Sequence, residues 1–115
     1  MLKERKRMTT RWLVRIALFS LVLALALPPM AAAQAGADTY KAKCQMCHGP
    51  GGVPSAGMAK SMGLTPLGGA AVQGMSDADL TGVINNGKGK MTGFKGKLTD
   101  AQIKDLVSYI RTLKQ

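Results

Sequence analysis

Cys44-Gln45-Met46-Cys47-His48 is the stretch on which the fold of this chain turns. Two thiols three positions apart, followed at once by an imidazole, make the spacing C-x-x-C-H, the attachment signature of c-type haem. Each element has a physical job. Cysteines at that spacing on a helix end or turn stand near one another, so both reach the two vinyl groups of one tetrapyrrole. The adjacent imidazole then lies beneath the ring, where one nitrogen can bind the iron. The chain holds no other cysteine and no other histidine, so its chemistry must pass through this cluster.

Other uses of a C-x-x-C pair fit less well. A thioredoxin-like redox motif expects a neighbouring βαβ pattern, whereas the segment before Cys44 reads as helix and the one after it is glycine-rich. A structural zinc site takes four ligands, and this cluster offers three. A disulfide across two residues is strained and leaves His48 without a role.

The N-terminus reads as a targeting segment. Lys3, Arg5, Lys6, Arg7, Arg11 and Arg15 form a basic start opposed only by Glu4, and Ile16 to Leu27 is apolar apart from Ser20. Pro28-Pro29 closes the run, and Ala31-Ala32-Ala33 supplies small residues for a peptidase. Residues 1–33 are therefore expected to be a signal peptide cut after Ala33, with Ala35 and Ala37 as alternatives. An uncleaved anchor is the competing reading. The apolar stretch from Trp12 to Leu27 falls short of the roughly 20 residues of a bilayer span. No contiguous Arg-Arg pair precedes it, against a twin-arginine signal. Export fits the haem reading, because in bacteria attachment takes place on the far side of the membrane. The expected location is the periplasm.

Residues 34–115 then form one small domain, of a size that leans on disulfides, metals or cofactors for stability. It is poor in large side chains, its aromatics being Tyr40, Phe94 and Tyr109. A buried cofactor would supply the missing apolar interior. Its ten Lys and Arg against five Asp give +5, half of the whole-chain +10. A nucleic-acid surface wants a basic stripe with stacking aromatics, which this sequence lacks.

Ala37 to Cys44 reads as a short helix with Gly36, Tyr40 and Cys44 on one face, and residues before Gly36 as a loose tail. Gly49 to Gly74 is a connector with eight of the fourteen glycines and three prolines, Pro50, Pro54 and Pro66. A loop that long is usually functional, and wrapping a flat cofactor is such a function. Ala56 to Met62 suits a turn or two of helix. Met58, Met62 and Met75 read as adaptable fillers rather than ligands. Ser76 with Asp79 approximates a capping box, flanked by Met75 and Leu80 as staple, and Asn85-Asn86-Gly87 marks the helix end. A second glycine-rich loop, Gly87 to Gly96, follows. The best-marked helix comes last: Thr99 and Gln102 box its start, and Ile103, Leu106, Val107, Ile110 and Leu113 repeat at helical spacing. No strand is expected.

This order (helix into C-x-x-C-H, glycine-rich wrap, methionine loop, amphipathic last helix with an aromatic) resembles the class I monohaem c-type cytochromes over nearly all of residues 34–115. The resemblance implies an all-α, cytochrome c-like fold, with three main helices and glycine-rich loops around one covalently attached haem c. It implies that the first and last helices cross closely, with Gly36 and Tyr40 meeting Leu106, Tyr109 and Ile110. Cys44 and Cys47 would carry the haem, and His48 and Met91 would be its axial ligands, with Met58, Met62 and Met75 as substitutes for Met91. A bis-histidine iron is excluded by the single histidine. The family commonly has proline after the methionine; here Thr92 stands there, which leaves the loop less stiff. The imidazole's second nitrogen is expected to donate to a proline carbonyl, of Pro54 or Pro66.

The implied function is a soluble exported electron carrier rather than an enzyme, a monomer by default. Lys88, Lys90, Lys95 and Lys97 surround Met91 and are expected to steer acidic redox partners. The alternatives are a haem catalyst or gas-binding protein with an open sixth site, and an electron-transfer subunit of a larger oxidoreductase.

Overall fold

Alanine and proline start the first helix earlier than expected. The structure, a computed structural model, describes residues 11–16 and 28–115. The basic start before Arg11 and the apolar run 17–27 lie outside the described residues. Residues 11–16 are helical, and Trp12, Leu13, Val14 and Ile16 are exposed. Helix α1 spans Pro28–Lys43, so the stretch expected as a tail is helical. Proline is tolerated in a first helical turn, and the alanines that follow are the strongest helix formers.

The next elements are short. A single turn, α2, spans Gln45–His48 and stops at Gly49, whose φ of 76° suits only glycine. A 3₁₀ turn follows at Pro50–Gly52. Helix α3 spans Ala56–Met62, starts where the Ser55 hydroxyl accepts from the Met58 amide at 3.3 Å, and ends at the left-handed Gly63. A turn the sequence reading missed, α4, spans Ala70–Gln73. Four residues between glycines are too few to show a period. Helix α5 spans Asp77–Asn86, and α6 spans Asp100–Thr112. Both open on full capping boxes, Ser76 with Asp79 and Thr99 with Gln102, as their spacing predicts.

One expectation fails. Between α5 and α6 lies a two-stranded antiparallel hairpin, β1 at Gly87–Lys88 and β2 at Met91–Thr92, with Gly87 opposite Thr92 and Lys88 opposite Met91. Its two-residue turn begins at Gly89, whose φ of 57° is the sign such turns demand. Two-residue strands are too short to show alternation. The legible cue was glycine at the turn.

The core is built where α1, α5 and α6 meet. Tyr40, Leu80, Ile84, Ile103, Leu106, Val107 and Ile110 are buried there, joined by Leu98 ahead of α6. Helix α1 lies across α6, and Gly36 is why they come so close. A Cβ at Gly36 would run into the Asp105 carbonyl oxygen and stand 2.9 Å from Tyr109 Cβ. At the same crossing the rings of Tyr40 and Tyr109 lie 5.0 Å apart, tilted by 48°.

The connector is tied to α6 by a polar clasp. Gln73 Nε2 donates to the carbonyls of Leu67 and Ile110 at 2.8 and 2.9 Å. The Arg111 guanidinium donates to the carbonyls of Gln73 and Met75 at 3.1 and 2.6 Å, and to Asp77 at 2.7 and 2.9 Å. Asp77 is 74% exposed, so the ion pair itself is worth little. The carbonyl bonds from a charged donor are worth more. Arg111→Ala is expected to lower the unfolding free energy by about 2 kcal/mol, and Asp77→Ala by less than about 1 kcal/mol. Urea denaturation of the two variants checks the ranking.

Candidate functional site

The α1–α6 crossing presents the cysteine cluster. Helix α1 ends at Lys43 and the chain bends at Cys44, whose φ and ψ are −117° and −35°. The Cys44 amide still bonds to the Tyr40 carbonyl at 2.8 Å, and the His48 amide to the Cys44 carbonyl at 3.0 Å. Cys44, Cys47 and His48 thus sit on one turn directly continuing a helix anchored in the core. Cys44 is half-buried against that core, whereas Cys47 is exposed. Both thiols are free.

Tyr40 fixes the far end of the turn. Its side chain is 1% exposed, and its hydroxyl donates to the Gly49 carbonyl, next to His48, at 2.7 Å. Burial, followed by the neighbouring Cys44 and Tyr109, pushes the phenol up to about 12. The folded value lies above the ordinary 10.0, so its contribution to stability is whole below pH about 10 and fades as pH rises through about 12. Tyr40→Phe is expected to cost about 1 kcal/mol. The loss stays modest because the Gly49 carbonyl keeps the Gly52 amide at 3.2 Å. Alkaline unfolding of wild type and variant, followed by circular dichroism, checks both statements.

One ring nitrogen of His48 is left without a partner. Among the described residues, its Nδ1 is the buried side-chain polar atom with no hydrogen-bond partner. Neither the Pro54 nor the Pro66 carbonyl accepts from it, contrary to expectation; the Pro66 carbonyl takes the Gly69 amide at 3.1 Å. Burial pushes the imidazole below its ordinary pKa, toward the neutral form that ligates metals. Burial, and then Cys47, pushes the Cys44 thiol up to about 11. Among the described residues no three His, Cys, Asp or Glu side chains converge to hold a bare ion.

Met91 lies on β2 and is half-buried outside the protein core, as are Met58 and Met62 on α3. Met75, by contrast, packs against the core as a filler. The Met91 hairpin is held from behind by α5. The Phe94 and Lys95 amides donate to the Ile84 and Asn85 carbonyls at 2.8 and 3.0 Å. Gly93 sits so tightly against Asn85 and Asn86 that a Cβ has no room. Lys88, Lys90, Lys95 and Lys97 are all exposed around it.

The residues present suit a large, flat, apolar metal-bearing cofactor. A thiol pair stands on one turn, a half-buried imidazole follows it directly, and half-buried methionines lie outside the core. A family model described as cytochrome C oxidase, cbb3-type, subunit III, matches residues 31–110. The chain belongs to the c-type cytochromes, as a small monohaem member with covalently bound haem c that transfers electrons and is not an enzyme. It is 35% identical over 80 residues to a cytochrome c6 of Leptolyngbya boryana, covering 68% of this chain and 88% of that one. It is also 35% identical over 85 residues to the cbb3-type cytochrome c oxidase subunit CcoP of Azospirillum brasilense, covering 72% of this chain but 29% of that longer protein. The solved structure of KustC0563 c-type cytochrome superposes with a TM-score of 0.63 at 33% identity, over 70% of this chain and 98% of the other. The all-α fold expected from the sequence is thereby shown.

Proposed function

We propose that this chain is an exported, soluble electron carrier whose haem is bonded to Cys44 and Cys47 and ligated by His48 and Met91. The observation that carries this reading is the turn Gln45–His48, with its two free thiols and the half-buried imidazole that adjoins them. The haem supplies a one-electron iron centre when bound. The protein does the rest. Tyr40 and the α1–α6 crossing hold the cysteine turn rigid. Met46, 92% exposed, leaves this edge open to a partner. With His48 and Met91 both holding the iron, small ligands would be kept off it, and the site would favour electron transfer over oxygen chemistry.

Lys88, Lys90, Lys95 and Lys97 give this face a positive field that draws acidic redox partners. The docking is weak and salt-sensitive. Electron-transfer rates with an acidic partner are expected to fall steadily with added salt; a flat response contradicts the steering.

Residues 1–33 are the leader and residues 34–115 the carrier. Exposed Trp12, Leu13, Val14 and Ile16 support a segment that is not part of the folded domain. Among the described residues no helix is long and apolar enough to cross a membrane. Gly36 is needed at the helix crossing, which supports a cut after Ala33 or Ala35 over one after Ala37. The bond after Ala33 lies inside α1, so cleavage acts before the domain folds. The expected home is the periplasm, and the expected state a monomer.

An absorption spectrum of the oxidised protein tests the ligation. A methionine-to-iron charge-transfer band is expected, and Met91→Ala removes it. Rapid carbon monoxide binding by the reduced wild type would contradict the reading. The likeness to the cbb3-type family and to CcoP favours one second reading, an electron-transfer subunit of a larger oxidoreductase. Co-purification with a large membrane enzyme under gentle detergent would support it.

A further inference from the structure

We propose that Lys90 is a positioning residue that clamps the Met91 hairpin onto the connector, so that the methionine sulfur is held in place. The inference rests on the reading of Met91 as an axial ligand.

The Lys90 ammonium donates to the Ser61 carbonyl at 2.8 Å, bridging 29 residues of sequence. Ser61 lies in the last turn of α3, whose final carbonyls have no partner within the helix. A cation at a helix C-terminus is favoured by the dipole as well as by the bond. Gly63 and Leu64 amides both turn back to the Ala59 carbonyl, which leaves Ser61 oxygen to the lysine.

The placement gives the contact its meaning. The connector begins directly after His48 and carries α3; the hairpin carries Met91 next to Lys90. Among the described residues, Lys90 to Ser61 is the one hydrogen bond between the hairpin and the connector. The loop's other hydrogen bonds to neighbouring elements, from the Gly87, Phe94 and Lys95 amides, reach back to α5. They fix its base; the ladder pairs Met91 only with Lys88 of the same hairpin, so the tie from the tip to the connector is left to Lys90. Nothing in the local backbone replaces that bond: Gly89 is conformationally free, and Thr92 does not lock φ as proline would. Without the clamp the tip is free to swing away from α3, and the methionine exchanges more readily with an external ligand.

The test is imidazole titration of the oxidised, haem-loaded protein, read as loss of the methionine-to-iron band. Lys90→Ala is expected to lower the imidazole Kd about fivefold, the ratio set by one hydrogen bond of ordinary net strength. Lys60→Ala removes an equal charge from the same helix and is expected to leave the Kd at the wild-type value. Met91→Ala, with no methionine to displace and no such band to lose, is followed by its Soret shift instead and sets the upper limit of affinity. An unchanged Kd for Lys90→Ala overturns the clamp, and so does an equal shift for Lys60→Ala, since charge alone would then be the cause. If the wild type shows no methionine band at all, the ligation reading itself falls, and the clamp with it.

Discussion

Substituting both cysteines, Cys44→Ala with Cys47→Ala, is expected to leave no covalently bound haem. A denaturing gel stained for haem peroxidase activity shows a band for the wild type and none for the double variant. Each single variant keeps one thioether. One vinyl group then stays conjugated, and the reduced haemochrome band moves to longer wavelength. Stability is lost together with the attachment. The protein's own core comes from one side chain of α1, two of α5, four of α6 and Leu98, while Met58, Met62 and Met91 wait half-buried outside it. A chain of this size without its cofactor has little apolar area to bury. The double variant is therefore expected to lose cooperative thermal unfolding by circular dichroism. A variant that still unfolds cooperatively near the wild-type temperature would show that haem is not the missing interior.

The second large effect sits at the helix crossing. Gly36→Ala adds one methyl group where the Asp105 carbonyl leaves no space for it. Backbone cannot retreat as a flexible side chain can, so α1 and α6 must separate, and the Tyr40–Tyr109 contact opens with them. The expected loss is about 3 kcal/mol, at the upper end of overpacking, even though alanine is the better helix former. Gly82→Ala gives the opposite sign from the same chemical change. Gly82 lies within α5, and its added Cβ would meet nothing within 4 Å. Helix propensity then acts alone, and a gain of about 0.5–1 kcal/mol is expected. Denaturant midpoints of the two haem-loaded variants should bracket the wild type. Equal shifts of one sign would contradict the close approach at Gly36.

What the sequence disclosed, it disclosed through local rules. Thr99 with Gln102 and Ser76 with Asp79 announce helix starts within one turn, and both boxes form. The spacing of Ile103, Leu106, Val107 and Ile110 names the buried face of α6. The crossing at Gly36 and Tyr40 came from the resemblance, and the packing bears it out. The turn at Ala70–Gln73 and the hairpin at Met91 were not legible, because each is shorter than the period that would reveal it. The early start of α1 was hidden by Pro28 and Pro29, which read as a stop but are tolerated in a first turn. The Arg111 clasp and the Lys90–Ser61 bond join residues 29 to 38 positions apart, and no local pattern foretells which carbonyl a long side chain will reach. The cysteine turn was legible in type but not in detail. Its spacing named the chemistry, while the unpartnered His48 Nδ1 emerged only from the packed structure.

Mass spectrometry of the exported protein, matured in a host competent for haem attachment, tests the central claim most directly. Trypsin releases residues 44–60, cut after Lys43 and Lys60, with both cysteines and His48. That peptide is predicted to carry the mass of one haem, with neither thiol open to alkylation. A bare peptide alkylated at both Cys44 and Cys47 would contradict the account.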